Sequence, residues 1–410
     1  MHMKTGRLFI PLILLVSVNA SEIKDSRPDG ITGETWQFGP YNRWSYTHIQ
    51  EILPTKNIKN NQKVIQPIPS IDKTESDLDI ILQGESIKLS DAIKDQYIDG
   101  ILAIKKGIAK LEIYNGTLTP DRAHLMWSVS KTITGLTAAG IEADGLIELD
   151  KKVSDYVPEL AKSGWSDDTL RDILDMRDSS NWTESYDSPE SSVRRQDCAD
   201  GLLTGKMCID SEVIGNYKFL PSIGKDKNRK GKFVYKSGTT DVMAWVLEAA
   251  TGKRYADLVS EYLWTLIGAE KNAGITVDIA GFTLASGGMF ATLRDTARIG
   301  LLMLNRGKVG NRQVIPEKWM DDIFEYNDKS IQSDLNHGRN QPYYRSFIWG
   351  LGDGRKILLA RGVHGQFILI SPPTETVIVM YSSWPNADGG APNLGINQSL
   401  AILESINNAL

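Results

Sequence analysis

His124-Leu125-Met126-Trp127-Ser128-Val129-Ser130-Lys131 places a hydroxyl and an amine one helical turn apart. Apolar or small residues follow at helical spacing, so the pattern predicts an amphipathic helix that begins near Ser128. Residues three apart share a helix face, and Lys131 is therefore expected beside the Ser128 hydroxyl. A serine alcohol becomes a good nucleophile once a neighbouring base takes its proton. The pair indicates a serine hydrolase whose base is a lysine, with a helix N-cap serine as the alternative.

The Ser-x-x-Lys spacing occurs four times in the chain, so the surroundings must identify the functional copy. Ser21 follows a predicted cleavage site, Ser70 lies in a Pro-rich polar stretch, and Ser222 begins a charged loop. Ser128 alone follows an apolar lead-in and begins a periodic segment. We therefore interpret Ser128 as the candidate nucleophile.

The first twenty residues have the composition of a secretory signal peptide. Lys4 and Arg7 precede an apolar run over residues 8–18, and small residues follow up to Ala20. The run is short for a membrane span, although an uncleaved anchor is the alternative. We expect residues 1–20 to be removed and the mature chain to be periplasmic or secreted, with no stable membrane insertion.

Charge and cysteine content restrict the partners and the compartment. The net charge of −5 and the isoelectric point near 5.7 argue against nucleic acid as a partner. Cys198 and Cys208 are the two cysteines, and in an oxidising compartment we expect them to form a disulfide that closes a small loop. Two free buried thiols are the alternative. A metal site is not expected, because neither cysteine has a close histidine or a second cysteine pair.

Strand-like runs cluster at the two ends of the mature chain, and helical patterns lie between them. Residues 21–95 are polar and Pro-containing, which predicts an extended N-terminal arm. A hairpin is expected over 101–105 and 108–114, and another over 366–371 and 376–382. This order predicts an α/β (α+β) fold in which helices flank an antiparallel sheet and a mainly helical subdomain is inserted. The expected hydrolase domain spans 96–410, with an α/β part at about 96–144 and 275–410 and a helical part at about 145–274.

The clearest helix in the middle of the chain is predicted over residues 242–250. Thr240 or Asp241 would cap its N-terminus, and Gly252 follows its C-terminus. Just before it, Tyr235 stands between an apolar lead-in and turn residues, which would place its phenol at a cleft. Tyr235 is the candidate acid/base group, with a buried tyrosine that only packs as the alternative.

A third small-residue segment, Gly362-Val363-His364-Gly365-Gln366, leads into a strand, and His364, Gly365 and Gln366 are its candidate site residues. Small residues let backbone N–H groups approach a substrate carbonyl, so one of them, with the Ser128 N–H, is expected to form an oxyanion hole. A structural histidine is the alternative for His364. The sequence contains no Gly-x-Ser-x-Gly elbow, no His-Glu-x-x-His motif and no P-loop.

Taken in order, Ser128-x-x-Lys131, Tyr235-x-Ser237 and His364-Gly365-Gln366 resemble the three motifs of the serine β-lactamase and penicillin-binding-protein superfamily, in its class C-like branch. A closer resemblance, through nearly the whole mature chain, is to the 6-aminohexanoate-dimer hydrolases and their carboxylesterase relatives. The segments that carry it lie at residues 42–45, 52–55, 124–131, 156–160, 174–176, 239–242 and 382–385.

The resemblance implies a role for each motif residue. Ser128 would be the nucleophile, Lys131 its base, and Tyr235 the acid/base relay. Tyr186 matches the second active-site tyrosine of the family, which contacts the leaving amine in the amide hydrolases. Asp197 falls where those enzymes present an acidic residue to a substrate amino group.

Three positions depart from the pattern of the relatives. His364 takes the place of the lysine in the Lys-Thr-Gly motif, and a mostly neutral imidazole would hold a β-lactam carboxylate less firmly than an ammonium. Ser286 stands where the amide hydrolases carry a bulkier polar side chain, and the Phe347 region lacks the expected paired tryptophans. Ser286 and Phe347 are predicted to line the acyl or leaving-group pocket. The substrate of the relatives is therefore not expected to be the substrate of this protein.

The predicted function is therefore an exported serine hydrolase that cleaves carboxyl ester or linear amide bonds of small molecules through a Ser128 acyl-enzyme. No metal or organic cofactor is expected. One alternative is a penicillin-binding D-alanyl peptidase or weak β-lactamase. Another is a non-catalytic binding or sensor protein that keeps the scaffold.

Overall fold

The computed structural model describes residues 25–70, 78–208, 211–326, 342–352, 354–391 and 393–410, and the predicted signal peptide lies outside them. The α-helices in this part of the chain are α1 Asn42–Ser45, α2 Leu89–Asp95, α3 Val129–Ala143, α4 Val153–Tyr156, α5 Leu170–Leu174, α6 Ser192–Ala199, α7 Asn216–Phe219, α8 Ser237–Thr251, α9 Tyr255–Val259, α10 Leu293–Leu304, α11 Glu317–Glu325 and α12 Ile396–Ala409. The strands are β1 Thr55–Ile58, β2 Asp79–Leu82, β3 Glu85–Lys88, β4 Ile98–Lys105, β5 Ile108–Tyr114, β6 His124–Leu125, β7 Ala273–Thr276, β8 Met289–Ala291, β9 Lys308–Val309, β10 Arg312–Gln313, β11 Tyr343–Arg345, β12 Ile348–Gly350, β13 Leu358–Gly362, β14 Gln366–Ser371 and β15 Thr376–Ser382.

A seven-stranded antiparallel sheet organises the domain, in the order β11-β12-β13-β14-β15-β4-β5. The hairpins predicted near both ends of the domain are confirmed as β4–β5 and β14–β15, and they meet where β15 pairs with β4. Helix α10 packs on β4, β14 and β15. A Cβ at Gly300 would lie 2.4 Å from Val377, so this glycine permits the close approach of helix and sheet. The result is the predicted antiparallel sheet flanked by helices.

The middle of the chain is mainly helical, as predicted, and it carries α4 to α9. Helix α3 contacts α8 and α9 on this side and β12, β13 and β14 on the other, so it lies between the helices and the sheet. Every residue of α3 from Val129 to Ile141 is buried. The Ser-x-x-Lys segment at its start is therefore held by both parts of the domain.

The N-terminal segment is folded onto the domain, which corrects the prediction of an extended arm. Residues 25–95 contain α1, α2 and β1 to β3, apart from the undescribed residues 71–77. Trp36 donates a hydrogen bond from Nε1 to the Leu202 carbonyl at 2.7 Å, and its ring stacks on Trp127 with centroids 5.8 Å apart. The polar composition of the segment concealed these anchors, because its buried apolar residues are scattered among polar ones.

Helix α8 begins earlier than predicted. It starts at Ser237 and ends before Gly252, whose φ of 68° provides the left-handed C-cap. Asp241, predicted as an N-cap, instead accepts a hydrogen bond from Ser286 N at 2.9 Å, and the Glu184 carboxylate accepts from Ser237 N at the true start of the helix. Among the described residues, no helix has the length and apolar composition needed to cross a membrane.

Candidate active site

Ser128 lies at the N-cap position of α3, and its side chain makes no capping hydrogen bond. Its Oγ instead accepts a hydrogen bond from Lys131 Nζ at 2.8 Å. The preceding residue, Trp127, has a φ of 45°, a left-handed conformation that is uncommon for a bulky residue and turns the chain sharply into the helix. The structure therefore brings the predicted Ser–Lys pair together and does not use the hydroxyl as a helix cap.

The Lys131 amine is held by a second contact. Nζ donates to the Ser286 carbonyl at 2.7 Å, and the side chain is buried. Ser286 is fixed in turn by Asp241, whose Oδ1 accepts from its backbone N–H. Burial raises the pKa of Asp241 to about 6. Ser286 lines the cavity beside Ser128, as predicted, and its backbone carbonyl also holds the Lys131 amine.

Tyr235 is half-buried beside this pair. Lys131 Nζ lies 5.2 Å from the centroid of its ring. The ring packs nearly parallel to Trp349, with centroids 5.9 Å apart, and edge-on to Tyr344. These aromatic contacts orient the phenol within the cleft that contains Ser128.

The third predicted segment approaches Ser128 through its first two residues, Gly362 and Val363. A Cβ at Gly362 would lie 2.9 Å from Ser128 N, so the end of β13 borders the serine. The N–H groups of Ser128 and Val363 donate to no backbone acceptor within the part of the chain that the structure describes. These two donors form the candidate oxyanion hole.

Gly365 and Gln366 do not reach the cleft. A Cβ at Gly365 would lie 2.6 Å from Trp384, and the Gln366 amide donates to the Ser382 carbonyl at 2.6 Å. Both residues therefore hold the hairpin, in which Gly362 pairs with Gln366, against the end of β15.

Two cavities meet at Ser128. The inner cavity is lined by Arg194, Asp197, Ser286 and His364 among others and has a volume of about 30 Å³. The outer cavity is lined by Glu184, Asp187, Tyr235, Arg361 and Asp388 among others and has a volume of about 440 Å³. Tyr186 and Val363 line both cavities. The candidate nucleophile therefore stands between a small compartment and a large one.

His364 borders the inner cavity as a neutral imidazole. Its Nδ1 donates to the Trp384 carbonyl at 2.7 Å, and its ring stacks on Trp127 with centroids 5.6 Å apart. Burial lowers the pKa of His364 to about 3, so the ring carries no positive charge near neutral pH.

Asp197 also borders the inner cavity, but it is already paired. Arg194, three residues earlier on α6, donates from Nη1 to Asp197 Oδ2 at 2.9 Å. Burial raises the pKa of Asp197 to about 6, while the guanidinium acts in the opposite direction. Arg194 was not predicted as a site residue, although its i, i+3 spacing from Asp197 indicates such an ion pair.

Phe347 lines neither cavity, contrary to the prediction. It is buried under the cleft, where its N–H donates to the Leu174 carbonyl and its carbonyl accepts from Thr132 Oγ1. Trp349, two residues later, packs on Tyr235 instead. Side chains two apart on a strand share a face, but the left-handed φ of 62° at Phe347 breaks this register before β12.

Glu184 is a further residue that the sequence analysis missed. Its carboxylate accepts hydrogen bonds from Tyr186 and Ser237 and lines the outer cavity. The sequence offered a signal for it, because Glu184 stands two residues before Tyr186, the predicted substrate-binding tyrosine.

No group of three or more acidic, histidine or cysteine side chains suited to a metal ion occurs in the described parts of the chain.

The predicted disulfide is present between Cys198 and Cys208, with Cα atoms 5.5 Å apart. Cys198 follows Asp197 on α6, and Asp197 lines the inner cavity, so the bridge anchors the loop after α6 close to this cavity.

We expect the Cys198→Ser/Cys208→Ser variant to lose about 2–3 kcal/mol of unfolding free energy, since the cross-link restricts the unfolded chain. Urea denaturation should measure this loss, and reduction of the wild type should reproduce it. Equal stability of the two proteins would contradict the expectation.

Comparison with known proteins identifies the family. The beta-lactamase family model matches residues 99–401. The chain is 32% identical over 362 residues to the 6-aminohexanoate-dimer hydrolase of Paenarthrobacter ureafaciens, a match that covers 87% of this chain and 89% of that one.

Solved structures agree with this match. A candidate 6-aminohexanoate-dimer hydrolase from Bacillus anthracis has a TM-score of 0.82 at 26% identity, covering 93% of this chain and 95% of that one. A D-stereospecific amidohydrolase from Streptomyces sp. has a TM-score of 0.55 at 16% identity, covering 76% and 95%, and supports the fold alone. The chain belongs to the beta-lactamase family, and it is a serine hydrolase with the β-lactamase/transpeptidase-like fold and with amidase and esterase relatives.

Proposed function

We propose that this protein is an exported hydrolase that cleaves small carboxyl esters and linear amides through an acyl-enzyme on Ser128. The observation that carries the proposal is the 2.8 Å contact between Lys131 Nζ and Ser128 Oγ at the junction of the two cavities. At this distance the amine is placed to take the serine proton as Oγ attacks the substrate.

The remaining groups account for the other steps. Ser128 Oγ attacks the substrate carbonyl as its proton passes to Lys131, and the Ser128 and Val363 N–H groups hold the resulting oxyanion. Tyr235 gives a proton to the leaving group and recovers one from Lys131, whose Nζ lies over the Tyr235 ring, 5.2 Å from its centroid. Water then attacks the acyl carbon, releases the acid and restores the Ser128 hydroxyl.

The two cavities suggest where each half of the substrate binds. Tyr235 borders the outer cavity and not the inner one, so the leaving group that it protonates belongs in the outer cavity. The acyl group then enters the inner cavity, whose volume of about 30 Å³ holds roughly two water-sized groups. Short acyl groups are therefore the preferred ones.

The charges in the cleft favour esters and amides over β-lactams. Three carboxylates and one guanidinium line the outer cavity, namely those of Glu184, Asp187, Asp388 and Arg361. His364 is neutral at the inner cavity because burial lowers its pKa to about 3. A β-lactam carboxylate would meet net negative charge here, which costs binding energy.

The disulfide supports the proposal of export to the periplasm or the exterior, because such bridges persist in oxidising compartments. The proposed signal peptide at residues 1–20 would direct this export.

The test is a series of p-nitrophenyl esters from acetate to octanoate. We expect kcat/KM to be highest for acetate or propionate and to fall by about tenfold or more at octanoate, because extra methylenes overfill the inner cavity. Intact-mass measurement after rapid quenching should detect the acyl group on the protein. No ester hydrolysis, together with a stable adduct after exposure to penicillin, would favour the penicillin-binding alternative.

A further inference from the structure

The Glu184 carboxylate receives four hydrogen bonds from three neighbours. Tyr186 Oη donates to Oε1 at 2.8 Å, and Ser237 Oγ donates to the same oxygen. The Trp182 Nε1–H and the Ser237 N–H donate to Oε2 at 2.6 Å and 2.9 Å. Glu184 thus ties the candidate substrate-binding tyrosine to the N-terminus of α8, immediately after Tyr235.

We propose that Glu184 is a positioning residue that promotes amide cleavage relative to ester cleavage by fixing the direction of the Tyr186 hydroxyl. The hydrogen of this hydroxyl is committed to Glu184, so Tyr186 Oη can offer only a lone pair to the cleft. A scissile amide has an N–H that donates to such a lone pair. The alcohol oxygen of an ester has no hydrogen to donate. This inference rests on the proposed function.

The surroundings keep Tyr186 in the required state. Burial and the adjacent Glu184 charge raise the pKa of Tyr186 well above its usual value, so the phenol remains protonated at working pH. The Ser237 N–H lies at the N-terminus of a 15-residue helix, where a carboxylate is stabilised. Arg194 packs over the Tyr186 ring, 5.4 Å from its centroid, and holds the ring in place.

The variant Glu184→Gln isolates the orienting effect. A glutamine side chain has almost the same shape but offers one acceptor oxygen and two N–H donors. The glutamine cannot accept hydrogen bonds from all three neighbours, because its NH₂ group takes the place of one carboxylate oxygen and faces the N–H or O–H donors on that side. The Tyr186 hydroxyl is then free to rotate, and its hydrogen can point toward the substrate nitrogen.

The experiment compares the p-nitrophenyl ester and the p-nitroanilide of one acyl group, which form the same acyl-enzyme. We expect Glu184→Gln to lower the ratio of kcat/KM for anilide over ester by about tenfold. The ratio does not depend on how much of the variant is folded. Tyr186→Phe should lower it equally, and the double variant should be no worse than Tyr186→Phe alone. Glu190→Gln, the same change at an exposed position six residues later, is the matched control.

Three outcomes would overturn the inference. These are an unchanged ratio in Glu184→Gln, additive losses in the double variant, and a wild type that cleaves the ester but not the anilide. A wild type that cleaves neither substrate would overturn the proposed function itself, so the two failures are distinguishable.

Discussion

Ser128→Ala is expected to lower kcat/KM for p-nitrophenyl acetate by about 10⁴-fold or more. The substitution removes the oxygen that would form the acyl-enzyme and leaves Lys131 Nζ with the Ser286 carbonyl as its hydrogen-bond partner. The backbone donors at Ser128 and Val363 remain, so a small residual rate above that in water is expected. The measurement is initial-rate hydrolysis at several substrate concentrations, with the intact mass checked for loss of acylation.

Ser222→Ala is the matched control for this prediction. Ser222 has the same Ser-x-x-Lys spacing, but its Oγ donates to the Phe219 carbonyl and Lys225 pairs with Asp167 instead. We expect this variant to retain the wild-type rate. Equal hydrolysis by the wild type and Ser128→Ala would reject Ser128 as the nucleophile and with it the proposed mechanism.

Lys131→Met is expected to lower kcat/KM by about 10³-fold, because it removes the group that takes the serine proton. Methionine has a similar volume, so the buried position next to Ser128 remains filled. Loss of the contact with the Ser286 carbonyl also leaves a buried acceptor unsatisfied, and a lower melting temperature is expected as well. Rates should therefore be compared at a temperature at which circular dichroism shows both proteins folded.

Chemical rescue separates the role of Lys131 as a base from its role in stability. Lys131→Ala leaves space for a small amine, and added methylamine should restore part of the activity in proportion to its concentration. Methylammonium chloride at low pH, where the free base is scarce, is the control. Activity in Lys131→Met close to that of the wild type would exclude Lys131 as the base. Lys225→Met, with an unchanged rate expected, controls for loss of a lysine elsewhere.

Features that depend on local spacing were predictable from sequence. The i, i+3 relation between Ser128 and Lys131 survives in α3 because any helix enforces it. Strands β14 and β15 match their predicted bounds, since continuous runs of apolar residues bounded by turns are typical of buried strands.

The sequence predicted a residue's role less well where its local pattern suits one role and a distant contact gives it another. Asp241 carries the signal of a helix N-cap, yet its carboxylate is used by the distant Ser286 N–H. Residues 362–366 read as one motif, although only the start of the segment borders Ser128, because Gly365 and Gln366 are held by Trp384 and Ser382. In each case a long-range contact, which single-sequence patterns do not encode, decided the outcome.

The sequence by itself determined that a serine and a lysine share a helix face, that an antiparallel sheet flanks them, and that two cysteines lie close enough to bond. The first two properties follow from the periodicity of helices and strands, and the third follows from the short separation of the two cysteines along the chain. Only the tertiary structure decided that Val363 borders Ser128, that Arg194 pairs with Asp197, and that Glu184 orients Tyr186 against α8. The reason is physical: donors and acceptors of buried groups must be satisfied together, and the fold alone determines which of them meet.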